Sequence, residues 1–484
     1  MGLAGIIFAL ALLIWLAYRG WSILLLAPAA ALVASAFARE PLLAHWTQTF
    51  MTNAAQFLAQ FFPLFLLGAL FGKLMDDSGS VKAIAQYMTE KLGPSRAILA
   101  VILAGAAVTY GGVSLFVAFF VLAPMAIELF RAADIPRRLI PAAIALGTST
   151  FTMSALPGTP AIQNAIPMPF FGTTPFAAPG LGIIASVIML GFGLWWLQRE
   201  EMKARVAGEG FGVTSSGNLS EVADDQFIRE RATAAREFDP AEIHHGQHTA
   251  TLPPIWAAAL PLAVVVFVNL LMALIVLPAL DFDFLKEERW GGTSIQAVGG
   301  VWSVAVALAT ATLVLVILNR ARLPNLRTSM DAGANASVLP ALSVASLVGF
   351  GAVVAALPAF AFVRDWVLSI GGGVLVSLTV ATNVLAALTG SASGGLTIAL
   401  DALGETYKSL AAAQNIHPDL LHRVAVIGAG TLDSLPHNGA VVSLLAVCGS
   451  THRESYRDIV VVCILGAMIA LVAVIILGSM FGSF

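Results

Sequence analysis

The stretch Asp433-Ser434-Leu435-Pro436-His437-Asn438-Gly439 interrupts a long apolar run with a proline, small residues and two ionisable side chains. A second stretch, Ser154-Ala155-Leu156-Pro157-Gly158-Thr159-Pro160, interrupts an earlier apolar run in a similar way. Unwound backbone at membrane depth is tolerated only where it lines a cavity or is buried in protein. Two such breaks at matching places in two halves of a chain are a strong sequence indication of a binding site in a transporter.

The composition is that of a polytopic membrane protein. Of 484 residues, 58% are hydrophobic and 11% are charged. The mean hydropathy is +0.88, and together these values lie well outside the range of soluble domains. The net charge of -3 gives no indication of a nucleic-acid partner. The two cysteines lie in apolar segments, so we predict no disulfide framework, no metal site and no cofactor.

Apolar runs of about 20 residues, the length that spans a bilayer, divide the chain into two halves. Residues 1–198 form the first half and residues 254–484 form the second. Residues 199–253 are polar and nearly free of large apolar side chains, which predicts a cytoplasmic linker between the halves.

Each half contains a long apolar run with a glycine-rich interruption, which predicts a re-entrant hairpin at residues 97–130 and at residues 374–413. A broken helix follows each hairpin, at residues 138–166 and 422–448. The order and approximate spacing of short segments persist between the halves, which indicates an internal repeat. The matched segments are Gly111-Gly112-Val113-Ser114 with Gly394-Gly395-Leu396-Thr397, Asp134-Ile135-Pro136 with Asn415-Ile416-His417-Pro418, and Ala155-Leu156-Pro157 with Ser434-Leu435-Pro436.

The basic loop residues predict the topology. All of them can face the cytoplasm, as the positive-inside rule requires, if both hairpins are re-entrant and the amphipathic stretches lie flat on the membrane. Each half then has about five crossings and one hairpin. Because five is odd, the second half is inverted relative to the first. The expected fold is therefore an all-α polytopic membrane protein with two inverted repeats, with the first hairpin opening from the cytoplasm, the second from outside, and both termini on the outer side.

The breaks favour an anionic ligand. A broken helix presents free N–H groups and a dipole end equivalent to about half a positive charge. The apolar core over residues 101–130, 139–167 and 374–404 contains no Lys or Arg, which favours a small anion held by backbone dipoles and by hydroxyl or amide groups. The predicted substrate-binding residues are Gly111, Gly112, Ser114, Thr152, Ser154, Thr159, Asn164, Ser391, Ser393, Gly394, Gly395, Thr397, Asn438 and Gly439; Gln163 and Ser443 are further candidates.

Asp433 and His437 are ionisable inside the membrane region, which makes a functional role the first hypothesis. Either side chain can carry a proton in coupled transport. The alternative is that Asp433 caps the helix half that begins after Pro436 and does not change its charge.

These features together resemble the gluconate permease (GntP-type) proton symporter family of the ion transporter superfamily. The resemblance covers nearly the whole chain except the polar linker, and the order of the motifs is what is specific. It is carried by Leu67-Gly68-Ala69-Leu70-Phe71-Gly72-Lys73-Leu74-Met75 with Asp76-Asp77-Ser78-Gly79, Ala133-Asp134-Ile135-Pro136, the Leu156-Pro157 break, and Ile427-Gly428-Ala429-Gly430 leading to Asp433-Ser434.

The resemblance implies a transporter of the bacterial inner membrane that is not an enzyme. It implies proton symport of gluconate, of short hydroxy acids such as 3-hydroxybutyrate, or of hydroxylated amino acids. It also implies an elevator-type transport domain, built of hairpins and broken helices, that moves against a homodimeric scaffold. Gluconate permeases carry an acidic residue near the first hairpin tip, where this chain has Tyr110-Gly111-Gly112-Val113. That difference favours a smaller, less hydroxylated monocarboxylate.

Other classes remain open at this point. A sodium-coupled di- or tricarboxylate carrier has the same architecture, and a sodium/proton antiporter also uses acids inside the membrane. A membrane enzyme would need a catalytic grouping, and the sequence contains no nucleophile-base set, HExxH motif or metal-ligand spacing. The polar linker is too short for a signalling domain.

Overall fold

The computed structural model describes residues 2–18, 21–211, 251–436 and 438–484. Their regular structure is helical, with no strand among these residues. Most of the predicted linker, residues 212–250, lies outside the described residues, and so does His437. Helices satisfy their backbone hydrogen bonds internally, which is what a segment surrounded by lipid needs.

The helices of the first half include those of the predicted hairpin and those on either side of the first break. In chain order they are α1 (Gly2–Tyr18), α2 (Ile23–Ala38), α3 (Leu42–Asp77), α4 (Ser80–Leu92), α5 (Ala97–Tyr110), α6 (Leu115–Ala132), α7 (Ile140–Thr148), α8 (Phe151–Ser154), α9 (Ile162–Ala165), α10 (Pro167–Phe171) and α11 (Pro179–Val206).

The second half contains the same kinds of element. Its helices are α12 (Ile255–Ala279), α13 (Ile295–Asn319), α14 (Leu326–Ala336), α15 (Val338–Ala356), α16 (Phe360–Leu368), α17 (Gly373–Thr389), α18 (Ala392–Ala413), α19 (Pro418–Thr431), α20 (Gly439–Val447) and α21 (His452–Phe481).

Seven helices in the described ranges are long and apolar enough to cross a membrane, or eight if the bent pair α4–α5 forms one span. The two parts of that pair, Ser80–Leu92 and Pro94–Tyr110, meet at 101°. The helices α1, α2 and α17 contain shorter apolar stretches. The chain is therefore a multi-span membrane protein that is helical throughout its described regular structure; five crossings in each half stay a prediction.

Helix pairs occupy both predicted hairpins. The arms α5 and α6 are joined by residues 111–114, and the arms α17 and α18 are joined by Gly390 and Ser391. Gly395 lies where α18 packs directly on α17, and a Cβ there would collide with the backbone of Ala386. A side chain at this position would therefore force the two arms apart.

The ends of the two helix pairs share one local geometry. Asp134 and Asn415 both have a left-handed backbone, with φ of 51° and 55°. The next residues, Ile135 and Ile416, donate back to carbonyls five positions earlier, at 2.9 Å and 2.8 Å. This left-handed helix end is a common termination for residues such as Asn and Gly. The segments matched in the sequence thus also match in conformation.

The core brings the two halves into contact. In the first half α5 packs on α7, and in the second half α17 packs on α19. Across the halves, α6 contacts α20, and α10 contacts α18 and α19. Both pairs of arms and both breaks therefore meet in one buried region.

Candidate functional site

A cavity of about 270 Å³ lies where the loops between the arms and the segments after the breaks meet. Both halves contribute to it, together with α3 and the α14–α15 region. Its lining includes Gly112, Val113, Ser114, Leu115 and Phe116 from the first hairpin, Pro160, Ala161, Ile162 and Gln163 from the first break, Thr389, Gly390, Ser391 and Ser393 from the second hairpin, and Gly439 from the second break. None of the lining residues is Asp, Glu, Lys, Arg or His.

The first hairpin tip is tied to the first break. The Tyr110 hydroxyl donates to the Pro157 carbonyl at 2.8 Å. Gly112 has a φ of 98°, and a Cβ there would lie 3.1 Å from Pro160 Cγ. The tip needs glycine at this position because an L side chain rarely adopts this backbone conformation.

Unwound backbone at the first break is hydrogen-bonded by other segments. The Gly158 nitrogen donates to the Pro175 carbonyl at 2.9 Å. The Gly158 carbonyl accepts from Asn269 Nδ2 of α12 at 3.0 Å. Buried backbone groups need such partners, so these bonds stabilise the break inside the protein.

A buried polar cluster joins the first break to the start of α19. Arg423 is 0% exposed, and its guanidinium donates to the Ala177 carbonyl at 2.7 Å and the Ser154 carbonyl at 3.2 Å. The His422 ring lies 3.1 Å from Asn164 Oδ1 and 2.6 Å from Thr173 Oγ1. The Arg423 guanidinium thus links the Ser154 carbonyl at the break to the Ala177 carbonyl just before α11.

The second break is tied to the second hairpin tip by side chains. Asp433 Oδ1 accepts from the Ala392 nitrogen at 2.7 Å and from Asn438 Nδ2 at 2.8 Å. Asn438 Nδ2 also donates to the Gly390 carbonyl at 2.8 Å. Since Ala392 is the first residue of α18, the Asp433 carboxylate lies at the positive end of that helix.

The cap of α20 is a different residue from the one that the alternative hypothesis named. Asn438 Oδ1 accepts from the nitrogens of Ala440 and Val441, which makes Asn438 the N-cap of α20. Asp433 instead accepts from the first residue of α18. The expectation that Asp433 caps the helix after Pro436 is therefore corrected: it caps the hairpin helix.

Five of the predicted substrate-binding residues line the cavity, and the others lie elsewhere in the described structure. The lining residues are Gly112, Ser114, Ser391, Ser393 and Gly439. Those outside the lining are Gly111, Thr152, Ser154, Thr159, Asn164, Gly394, Gly395, Thr397 and Asn438. Several of these are engaged by backbone, since Thr152, Ser154 and Thr397 donate to carbonyls of their own segment. Contact of any of them with a substrate stays a prediction.

Sequence reasoning did not single out two buried charged groups. Arg423 falls inside the predicted broken helix 422–448, and the rule that identified Asp433 as an ionisable residue in the membrane applies equally to it. Lys73 and Asp77 form an ion pair of 2.9 Å in α3, with side chains 1% and 0% exposed. Their spacing of four residues places them on one face of the helix.

The sequence matches the family model "GntP family permease" over residues 3–174. The chain is 40% identical to the uncharacterized transporter YxjC of Bacillus subtilis, with 98% of each chain covered. A shorter stretch of 104 residues is 38% identical to the high-affinity gluconate transporter of Escherichia coli and covers 21% of this chain and 23% of that one.

Two solved transporters have a similar fold. MtrF of Neisseria gonorrhoeae, from a class of antimetabolite efflux pumps, matches with a TM-score of 0.54 and 13% identity over 91% of this chain and 85% of that one. The YdaH transporter of Alcanivorax borkumensis matches with a TM-score of 0.56 and 16% identity over 91% and 90%. At these identities the likeness shows the fold alone.

Proposed function

The chain belongs to the GntP permease family, and on that premise we propose that it is a proton-coupled symporter of a short hydroxy-monocarboxylate such as 3-hydroxybutyrate. The proposal places it in the bacterial inner membrane as a homodimer with both termini outside. The substrate class is supported by the match to a gluconate transporter and by the cavity between the two hairpin tips.

The observation that carries the substrate class is the unequal capping of the helix N-termini at the cavity. α6 begins after Ser114 with no side-chain cap. α18 is capped by Ser391 and Asp433, and α20 is capped by Asn438. A helix N-terminus attracts an anion, so α6 is the place for a substrate carboxylate.

The uncapped N-terminus of α6 and an uncharged lining favour a monocarboxylate, since α9, which is also uncapped at the cavity, is a single turn of four residues. A second carboxylate would be desolvated beside apolar and hydroxyl groups, with no cation among the lining residues to compensate it. A di- or tricarboxylate would need a positively charged partner such as an arginine clamp. The guanidinium of Arg423 is committed to the Ser154 and Ala177 carbonyls.

We assign the coupling role to Asp433. Its carboxylate accepts from Ala392 and Asn438, so it links the second break to the second tip. Protonation would remove the negative charge that the α18 N-terminus stabilises and weaken this link. A proton could thereby control how firmly the second tip closes over the cavity. His437 remains a second candidate from the sequence.

In the proposed transport mechanism, the hairpins and broken helices move together as one rigid domain against the rest of the protein, the scaffold. The matching helix ends at Asp134 and Asn415 and the matching contacts α5–α7 and α17–α19 support two repeats. The inverted insertion of these repeats follows from the distribution of basic residues. In this arrangement residues 3–37 and 255–318 contribute to the scaffold.

A ligand-binding screen on purified protein tests the substrate class. Butyrate, 3-hydroxybutyrate, gluconate, succinate and citrate are added in turn, and the shift in thermal unfolding is measured. Short monocarboxylates are expected to stabilise the protein, because a ligand that binds only the folded state raises its stability. Stabilisation by citrate or succinate alone, and only with sodium present, would favour the sodium-coupled alternative.

A further inference from the structure

The cavity has a part of its lining that lies outside the hairpins and breaks. α14 and α15 contribute Ala336, Ser337, Pro340, Ser343, Val344 and Leu347. α15 packs on the second hairpin, where a Cβ at Gly394 would collide with Leu347. The first tip lies beside α3, because a Cβ at Gly72 would lie 3.6 Å from the Ser114 nitrogen. The α15 lining therefore borders the second tip, and the α6 N-terminus belongs to the first.

Most hydroxyl groups around the cavity already have a partner. The bonds are Thr109 to the Gly105 carbonyl, Thr148 to Ile144, Ser337 to Ala334, Thr389 to Leu385, and Ser391 to Ser393 through their hydroxyls. These side chains are engaged within the protein. Each of those that donates to a carbonyl has used its one O–H donor and can only accept a hydrogen bond from a ligand.

Three polar side chains in the lining differ from these. Ser114, Gln163 and Ser343 line the cavity and have no hydrogen-bond partner among the residues that the structure describes. Ser343 is only 6% exposed. Buried polar groups are nearly always hydrogen-bonded, and the Ser343 hydroxyl opens onto the cavity with its donor and acceptor sites both available to a ligand.

We propose that Ser343 is a specificity-determining residue that recognises a hydroxyl group on the carbon chain of the substrate. This inference rests on the proposed function, with the substrate carboxylate at Ser114 and the α6 N-terminus. The side chains around Ser343, namely Pro340, Val344 and Leu347, are apolar. They suit a short carbon chain, and Ser343 supplies a hydroxyl there that can both donate a hydrogen bond to a substrate hydroxyl and accept one from it.

The consequence is discrimination between two acids that differ by one oxygen. A site that hydrogen-bonds a substrate hydroxyl disfavours the analogue that lacks it, because its own polar group is then left unpaired. The protein is expected to bind 3-hydroxybutyrate more tightly than butyrate. Because one neutral hydrogen bond contributes about 1 kcal/mol, the dissociation constants of the two acids are expected to differ by about threefold to tenfold.

The test is isothermal titration of the purified full-length protein with butyrate and with 3-hydroxybutyrate. Ser343→Ala is expected to lower the ratio of the two dissociation constants to about one, since both acids then meet an apolar surface. Ser343→Thr keeps the hydroxyl and is expected to keep the preference. Ser409→Ala is the control, because the Ser409 hydroxyl is exposed, donates to the Glu405 carbonyl and lies outside the cavity lining.

Each outcome decides the inference. If both acids bind and Ser343→Ala keeps the wild-type ratio, the role of Ser343 is wrong and the proposed function stands. If wild-type protein binds the two acids equally, no side chain in the cavity recognises the hydroxyl and the inference is again overturned. If neither acid binds, the proposed function itself fails. If Ser343→Ala does not fold, the same ratio of dissociation constants is measured for Ser343→Cys. Because a thiol forms weaker hydrogen bonds than a hydroxyl, this ratio is expected to be lower than that of the wild type.

Discussion

The carboxylate of Asp433 accepts a hydrogen bond from the backbone nitrogen of Ala392 at 2.7 Å, across 41 positions of sequence. The contact joins the second break to the first residue of α18. In the first half the equivalent connection is made by Tyr110 and Pro157, neither of which carries a charge at neutral pH. Both halves therefore connect a hairpin tip to a break, and a carboxyl group makes the described connection only in the second half.

Replacing Gly112 by alanine should weaken substrate binding. The residue has a φ of 98°, and a Cβ would lie 3.1 Å from Pro160 and 3.3 Å from Leu308. A left-handed backbone costs an alanine about 1–2 kcal/mol, so the first tip must shift. The KM for uptake in proteoliposomes is expected to rise about tenfold. Gly191→Ala, where a Cβ meets no atom within 4 Å, is the control, and an equal KM in both variants would contradict the prediction.

Arg423→Met should destabilise the protein. The change leaves the buried carbonyls of Ser154 and Ala177 without their donor. Leaving a buried acceptor unsatisfied costs about 1–3 kcal/mol, so the thermal unfolding temperature in detergent is expected to fall clearly. Arg364→Met removes an arginine whose side chain is 45% exposed, and it should unfold close to wild type. An unfolding temperature unchanged by Arg423→Met would mean that the guanidinium does not stabilise the break.

The ion pair in α3 predicts a non-additive result. Lys73→Met alone leaves the buried carboxylate of Asp77 unpaired, and breaking a buried pair in this way costs about 3–5 kcal/mol. Lys73→Met combined with Asp77→Asn removes both charges and should recover much of the lost stability. Unfolding of the two single variants and the double variant measures the interaction. If the double variant loses the sum of the single losses, the two side chains do not stabilise each other.

Cysteine labelling tests the inverted topology. Asn415→Cys at the end of the second hairpin should react with an impermeant maleimide from outside intact cells, and Asp134→Cys should react only from the cytoplasm. Both native cysteines, Cys448 and Cys463, are buried and should give little background. Labelling of both positions from the same side would rule out inverted repeats.

The sequence was sufficient to predict the helical membrane fold and the family. Helices also end at Ser154 and Thr431, beside the two proline-containing stretches. Proline and glycine in apolar runs are strong local signals, and Pro157 and Pro436 follow from them directly. The sequence did not predict which polar groups face the cavity. Ser114 lines it while Thr152 and Asn164 bond to backbone, because that outcome depends on how the segments pack.

Three features of the site were recognised only in the structure: the cap on α18, Ser343 and Arg423. The capping of α18 by Asp433 joins segments 41 positions apart, and no local pattern indicates it. Ser343 is one of two serines in the apolar helix α15, and nothing in the sequence distinguishes it from Ser346. Arg423 could be identified from the sequence, because a charged residue in an apolar run is rare and indicates a special role. It lies in the broken helix 422–448, outside the segments that contain no Lys or Arg.

The central claim is that Asp433 couples proton movement to uptake of a monocarboxylate. The most direct measurement is uptake of labelled 3-hydroxybutyrate into proteoliposomes with an inward proton gradient and no sodium. Wild-type protein and the control Glu405→Gln, whose side chain is 81% exposed, should accumulate the acid. Asp433→Asn should lose accumulation while still exchanging labelled for unlabelled acid across the membrane. Full pH-driven accumulation by Asp433→Asn, or accumulation by wild type only when sodium is present, would contradict the account.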